Sequence, residues 1–257
     1  MATIQFSHAN GMPAKSYSFF FQQFESQSFQ YVDAFGIHNQ GFHSWYELRD
    51  ELIADIEKRN NAPIVGMGHS LGAVLTLWAA MKRPDLFSKV IMLDPPLFEK
   101  RVRRFLKYLG PLGISEYLVP IAKNARRRRD NFETIQDAFD YWSPKPFFKR
   151  FHPSCFKDYV DHSLVQKEDG TYTLFIPKAL EARIFGRTAS EIGFKKGKVP
   201  VYWVYPENSV VKKEVIEEYE KQFPEITFIK VEGGHMFPLE KPVETAQLLT
   251  KLIDKTE

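Results

Sequence analysis

The sequence contains a single cysteine, Cys155, among its 257 residues. One cysteine cannot form an intramolecular disulfide, so the cysteine content does not require an oxidising compartment. Long hydrophobic runs are also missing: no stretch reaches the roughly 18 apolar residues that a membrane span needs. The first residues show no basic segment followed by an apolar one, which argues against a signal peptide. We therefore expect a cytoplasmic protein without a membrane span.

Charge of one sign does not dominate the chain, because the formal net charge is only +3. The charge is nevertheless uneven, since residues 97–190 hold 18 Lys and Arg against 11 Asp and Glu, and the remainder is net negative. This shift predicts two regions with different surfaces. The basic run 126–129 could contact an anionic substrate or a membrane surface, although a solvated helix face is the commoner reason for such a run. No nucleic-acid-binding motif accompanies it, so no nucleic-acid partner is expected.

Short apolar strands alternate with helical patterns over most of the chain. The predicted strands are 3–7, 31–35, 63–67, 89–93, 200–205 and 226–231, and the predicted helices are 71–82, 210–222 and 242–255. This alternation is typical of an α/β fold in which a mostly parallel sheet is flanked by helices.

The alternation fails between residues 97 and 190, a segment rich in aromatic residues and in amphipathic helical patterns such as 105–118 and 134–142. We predict that this segment, called the cap segment below, is a helical insertion after the strand that ends near Leu93. The α/β core would then consist of residues 1–96 and 191–257.

The strongest motif is Gly68-His69-Ser70-Leu71-Gly72, between a predicted strand and a predicted helix. A Gly-x-Ser-x-Gly sequence in that context is typical of a nucleophile elbow, in which a tight turn lifts the serine hydroxyl above the sheet. The helix that follows adds a favourable dipole for a developing negative charge. Ser70 is therefore the candidate nucleophile. The alternative is a turn serine that only caps the helix.

A nucleophilic serine needs a base, and His235 follows two glycines and the last predicted strand. Its position after Ser70 in the chain matches the order of a hydrolase triad, whereas an ordinary exposed loop histidine is the alternative. Two backbone N–H groups must also stabilise the oxyanion. We expect them from Leu71, directly after the serine, and from Met12 in the loop after the first strand. His69, beside the serine, is expected to pack against the turn.

These motifs together resemble the α/β-hydrolase superfamily. The resemblance rests on the elbow, the His-x-Asn-Gly-x-Pro loop at 8–13 and the Gly-Gly-His-x-x-Pro-x-Glu ending at 233–240, and it covers nearly the whole chain. It implies a serine hydrolase that cleaves a carboxylic ester or thioester with an apolar acyl or alkyl part through an acyl-enzyme. It also implies a cap at residues 97–190, no first hairpin of the usual sheet, a small-molecule substrate, and no cofactor or metal.

The chain departs from the family pattern at the catalytic acid. The usual acid position, after the strand that follows the cap, holds Glu207, Asn208 and Ser209 instead of an aspartate. Asp94, at the end of the strand before the cap, is the favoured acid because it ends a core strand at the active edge of the sheet. Glu207 is the alternative acid, and a site without an acid is the third possibility.

Two other functions fit the same residues. A carbon–carbon bond hydrolase or an acyltransferase would use the same three groups. The fold could also serve as a non-enzymatic small-molecule receptor, for which the missing aspartate near residue 209 is the supporting observation.

Overall fold

The computed structural model describes residues 2–59, 62–96, 108, 119–187, 194, 197 and 199–255. Its strands are β1 (Ala2–Ser7), β2 (Gln27–Tyr31), β3 (Ile64–His69), β4 (Phe87–Leu93), β5 (Asn131–Phe132), β6 (Leu164–Gln166), β7 (Tyr172–Leu174), β8 (Val201–Asn208) and β9 (Ile226–Gly234). Its α-helices are α1 (Ser18–Phe21), α2 (Trp45–Arg59), α3 (Leu71–Lys82), α4 (Pro120–Arg126), α5 (Ile135–Trp142), α6 (Pro153–His162), α7 (Lys178–Gly186), α8 (Lys213–Gln222), α9 (Phe237–Glu240) and α10 (Pro242–Asp254). Short 3₁₀ turns cover Ala14–Tyr17, Pro84–Leu86 and Phe148–Arg150.

Six strands form one sheet in the order β2-β1-β3-β4-β8-β9, and every neighbouring pair is parallel. Helices α2, α3 and α8 pack on one face, and α1 and α10 pack on the other. The predicted parallel α/β architecture is therefore confirmed. In the sheet, β2 lies on one side of β1 and β3 lies on the other. The loops that leave the carboxyl ends of β1 and β3 therefore run in opposite directions. Such a switch point is where open α/β sheets bind ligands.

The centre of the sheet is fully enclosed, which explains the apolar character of its sequence. All six residues of β3 are buried, and so are the ten residues from Leu71 to Ala80 of α3. A helix that is apolar all round is typical of one packed between other elements. Helix α3 lies between the sheet and α2, so the turn that joins β3 to α3 is held rigidly.

The predicted strand at 31–35 is wrong, because the strand is β2 and ends at Tyr31. The chain leaves the sheet after Tyr31 and turns at Gly36, which has a φ of +74°. Ala34 and Phe35 are apolar because they fill the core below this turn. The helix predicted at 210–222 begins later, at Lys213, since the residues before it turn toward the end of β4.

The cap segment is described from residue 119 to residue 187. It contains helices α4 to α7, and α5 confirms the helix predicted at 134–142, with the Thr134 side chain accepting from the Asp137 N–H. Besides these helices, β5, β7 and β6 form a three-stranded antiparallel sheet, which the prediction of a helical insertion did not include. The helix predicted at 105–118 lies, apart from Tyr108, outside the described residues. The division into a core and a cap domain stays a prediction.

Candidate active site

The turn after β3 has the geometry of a nucleophile elbow. Ser70 has a φ of +54° and a ψ of −117°, a backbone conformation that residues with a side chain rarely adopt. The residues two positions before and after Ser70 are glycines for steric reasons. A Cβ at Gly68 would collide with the backbone of Gly72, and a Cβ at Gly72 would collide with the backbone of Ser7. The close approach of three backbone segments therefore requires glycine at both positions.

The structure brings Ser70, His235 and Asp94 together at the carboxyl edge of the sheet. Nε2 of His235 lies 3.1 Å from Oγ of Ser70, and Nδ1 of His235 lies 2.6 Å from Oδ2 of Asp94. The Asp94 side chain is completely buried, whereas that of His235 is 23% exposed. A carboxylate only accepts hydrogen bonds, so the imidazole proton belongs on Nδ1 and Nε2 is free to accept from the serine hydroxyl. This is the arrangement that a general base requires.

Asp94 is held by the loop that follows β8. The Ser209 hydroxyl donates to Oδ1 of Asp94 at 2.5 Å, and the Val210 N–H donates to Oδ2 at 3.4 Å. The alternative acid is not brought to the histidine. Glu207 is half-exposed and its carboxylate lies 3.4 Å from Nζ of Lys230. Of the two acids suggested by the sequence, the structure places only Asp94 in contact with His235.

The two predicted oxyanion donors differ in their environment. Leu71 opens helix α3, so its N–H has no carbonyl partner within the helix. The Met12 N–H instead donates to the Ala9 carbonyl oxygen at 3.1 Å, because residues 9–12 form a tight turn. The role of Met12 as the second oxyanion donor stays a prediction, and in this structure its N–H is engaged in the turn. Met12 could serve an oxyanion only by sharing or exchanging this hydrogen bond.

A buried hydrogen-bonded chain connects the loop after β1 with the loop that carries His235. The Ala9 N–H donates to the Tyr17 hydroxyl at 3.4 Å, and that hydroxyl lies 2.7 Å from Nδ1 of His69. Nε2 of His69 lies 2.8 Å from the carbonyl oxygen of His235. Because a carbonyl only accepts, His69 carries its proton on Nε2 and accepts from Tyr17 on Nδ1.

Burial keeps two histidines of this region neutral. Desolvation, together with the nearby His235, lowers the pKa of His69 to about 3. Desolvation also lowers the pKa of His8 to about 4, although its hydrogen bond to Ala9 acts in the opposite direction. Nδ1 of His8 donates to the Ala9 carbonyl, and Nε2 accepts from the Phe35 N–H. His8 thus ties the loop after β1 to the turn after β2.

The histidine loop is also fixed from its C-terminal side. Oε2 of Glu240 accepts from the Gly234 N–H at 2.9 Å and lies 3.0 Å from Nη2 of Arg150 in the cap segment. The sequence identified Glu240 as part of the motif at 233–240, but it did not reveal the contacts of Glu240 with Gly234 and Arg150. Tyr17 carried no motif signal, and Ser209 was noted only because it lies at the usual acid position; neither contact could be read from the sequence, since the partners are far away along the chain.

Two arginines of the basic run form ion pairs, and the single cysteine is buried. In the basic run, Arg128 pairs with Glu181 at 2.5 Å and Arg129 pairs with Asp137 at 2.5 Å. Cys155 is buried, and burial raises the pKa of its thiol to about 12. Among the residues that the structure describes, no group of three or more His, Cys, Asp or Glu side chains could hold a metal ion. No helix in the described part of the chain combines the length and apolarity needed to cross a bilayer.

Comparisons with known proteins agree with the fold. The abhydrolase domain-containing protein ACTT2 of Alternaria alternata is 23% identical over 229 residues, covering 76% of this chain and 84% of that protein. Lipase LipV of Mycobacterium tuberculosis is 22% identical over 204 residues, covering 77% of this chain and 71% of the lipase. The crystal structure of E-2-(acetamidomethylene)succinate hydrolase superposes with a TM-score of 0.80 at 18% identity, covering 99% of this chain and 92% of that one. The sequence model described as the alpha/beta hydrolase family matches residues 6–248, from β1 to α10. Because that match spans nearly the whole chain, this protein belongs to the alpha/beta hydrolase family.

Proposed function

We propose that this protein is a serine hydrolase that cleaves a carboxylic ester or thioester with an apolar acyl or alkyl part. One observation carries the proposal: a continuous hydrogen-bonded chain runs from the buried Asp94 through His235 to the hydroxyl of Ser70 at the strained elbow. Strained backbone at a turn is characteristic of functional sites. The family membership and the lipase among the relatives support the same reaction class.

The first half of the reaction forms an acyl-enzyme. Oγ of Ser70 attacks the substrate carbonyl carbon while Nε2 of His235 takes the hydroxyl proton. Asp94 remains ionised and stabilises the imidazolium that forms. The Leu71 N–H, together with the Met12 N–H if its turn hydrogen bond is shared, stabilises the oxyanion. The bond to the leaving group then breaks, and the imidazolium returns its proton to the departing oxygen or sulfur.

The second half repeats the same proton transfers with water. His235 takes a proton from a water molecule, whose oxygen attacks the acyl carbon. The bond between the acyl carbon and Oγ breaks, the proton returns to Ser70, and the free acid leaves. In both halves protons pass between His235 and Ser70 with Asp94 behind the imidazole, and these pairs lie within hydrogen-bond distance.

The environment of the two acids favours Asp94 over Glu207. A fully buried carboxylate that accepts from the imidazole can stabilise the imidazolium in a region of low dielectric. Glu207 is exposed and paired with Lys230, so water and that lysine would screen its charge. The receptor hypothesis depended on the missing aspartate near residue 209, and Asp94 supplies a carboxylate to the histidine from another strand. A carbon–carbon bond hydrolase or an acyltransferase would use the same groups.

A cytoplasmic location remains a prediction from the sequence.

A kinetic comparison tests the proposal. The wild type is assayed on aryl esters and acyl thioesters of increasing chain length, with Ser70→Ala as the variant that lacks the nucleophile. We expect longer apolar acyl groups to be preferred and Ser70→Ala to show no activity above background. Asp94→Asn and Glu207→Gln form a matched pair of amide substitutions. Asp94→Asn should lower kcat by about 10⁴, by comparison with the triad aspartate of serine proteases, and Glu207→Gln should change it by less than about twofold.

Three outcomes would contradict this assignment. Activity that persists in Ser70→Ala would remove the nucleophile. A loss in Glu207→Gln as large as that in Asp94→Asn would remove Asp94 as the acid. Product formation that requires an added alcohol or thiol acceptor would favour an acyltransferase.

A further inference from the structure

The loop after β8 places a serine against the buried acid. Ser209 accepts from the Val211 N–H at 2.9 Å through the same Oγ that contacts Oδ1 of Asp94 at 2.5 Å. Since a serine hydroxyl has one hydrogen and a carboxylate can only accept, that hydrogen points at Asp94. The backbone contact to Val211 fixes where Oγ lies, so the direction of the donated hydrogen bond is fixed as well.

The two oxygens of Asp94 have different partners. Oδ2 accepts from His235 and, at a longer distance, from Val210. Among the described residues, Ser209 is the partner of Oδ1. Asp94 is completely buried, so removing the donor to Oδ1 would leave a buried charged oxygen without that hydrogen bond, at a high energetic cost.

The backbone of Asp94 gives a second reason why the carboxylate needs support. Asp94 has a φ of +43°, which is uncommon for a residue with a side chain. The backbone is therefore strained at the residue that carries the acid, and partners on both carboxylate oxygens hold the side chain toward His235. Ser209 holds one end and His235 the other.

We propose that Ser209 is a positioning residue that sets the plane of the Asp94 carboxylate so that Oδ2 faces Nδ1 of His235. The inference rests on the proposed function, in which Asp94 orients the base. Ser209 touches neither substrate nor the reacting atoms, and it acts through Asp94. In this protein the acid comes from the end of β4, and the loop after β8 supplies the hydroxyl that orients the acid.

Four variants test this role. Ser209→Ala removes the donor, Ser209→Cys keeps a similar size with a weak donor, and Ser209→Thr keeps the hydroxyl. Ser88→Ala is the matched control, because the Ser88 hydroxyl donates only to the Ile64 carbonyl at the opposite edge of the sheet. The measurements are kcat and KM on an aryl ester, and the low-field proton resonance of the Nδ1–H of His235, which Asp94→Asn assigns by removing it.

Loss of the donor in Ser209→Ala and its weakening in Ser209→Cys should lower kcat about tenfold or more, with KM changed by less than about twofold. The low-field resonance should shift or broaden in both variants. Ser209→Thr should recover kcat to within about threefold and restore the resonance, and Ser88→Ala should match the wild type. If Ser209→Ala fails to fold, Ser209→Cys against Ser209→Thr gives the same comparison.

The role of Ser209 is refuted if the alanine or cysteine variant keeps both the wild-type kcat and an unshifted resonance. A fall in kcat without any change of the resonance also refutes it, because the effect would not pass through Asp94 and His235. Failure of the proposed function gives a different result: the wild type would be inactive, while the resonance would still show whether Ser209 orients the acid.

Discussion

The two buried neutral histidines predict that this protein loses stability in mildly acidic solution. In the folded chain, the pKa of His8 is about 4 and that of His69 about 3, whereas an unfolded chain has values near 6.5. The unfolded chain therefore binds protons that the folded chain cannot. Their stabilising contribution is complete above about pH 7.5 and is lost progressively as the pH falls below 6.5.

The magnitude follows from proton binding to the unfolded chain alone. Between about pH 8 and pH 5.5, each ring should reduce the free energy of unfolding by about 1.4 kcal/mol, or about 3 kcal/mol for both. Burial raises the pKa of Glu51 and of Asp158, which acts in the opposite direction at lower pH. The comparison therefore stops at about pH 5.5.

Urea unfolding followed by tryptophan fluorescence measures this change at several pH values. His69→Gln should lose about half of the decrease, whatever its stability at pH 8, since one titrating group is gone. His43→Gln, at an exposed position, is the control and should show the full decrease. A free energy of unfolding that stays constant or rises between pH 8 and pH 5.5 would refute the reasoning. An unchanged decrease in His69→Gln would do so for that residue.

Three further predictions concern packing and the acid. Gly72→Ala should destabilise the protein by about 3 kcal/mol or more in urea unfolding, because its Cβ would collide with the backbone of Ser7 at the end of β1. Gly41→Ala should cost less than about 1 kcal/mol, because its Cβ would make only an ordinary contact, 3.7 Å from Oδ1 of Asn39, and equal costs would contradict the elbow geometry. Lys89→Met should lower the free energy of unfolding by about 2–4 kcal/mol in the same assay, because Nζ of Lys89 donates to three carbonyl oxygens at the end of α10 at 2.8–2.9 Å. An unchanged urea midpoint would contradict this. Ser209→Asp in the Asp94→Asn background should raise kcat at least about tenfold over Asp94→Asn alone, because the side chain at position 209 adjoins that of residue 94. An unchanged kcat would show that a carboxylate at position 209 cannot reach His235.

The parallel core could be predicted because each strand carries its own signal. A buried parallel strand is apolar along its length, and β3, β4 and β8 were found within a few residues of their bounds. The strand at 31–35 was misplaced because the apolar residues Ala34 and Phe35 fill the core from a turn rather than from the sheet. Strands β6 and β7 have three residues each, too few for a period of two to be recognised.

The elbow, the histidine and the preference for Asp94 also followed from local patterns, because tight turns require glycine and strand ends meet at one edge of a parallel sheet. The supporting contacts could not be predicted. Tyr17 and His69 are 52 residues apart, and Ser209 and Asp94 are 115 apart. The turn that engages the Met12 N–H depends on backbone torsions that its residue types do not fix.

Labelling with a fluorophosphonate, followed by peptide mapping, tests the central proposal most directly, because such a probe reacts only with an activated serine. The proposed mechanism predicts a single label on Ser70 of the wild type, slower labelling in Asp94→Asn, and none in folded His235→Ala. A label on another serine, a label on Ser70 that is independent of His235, or no label on folded wild type would contradict it.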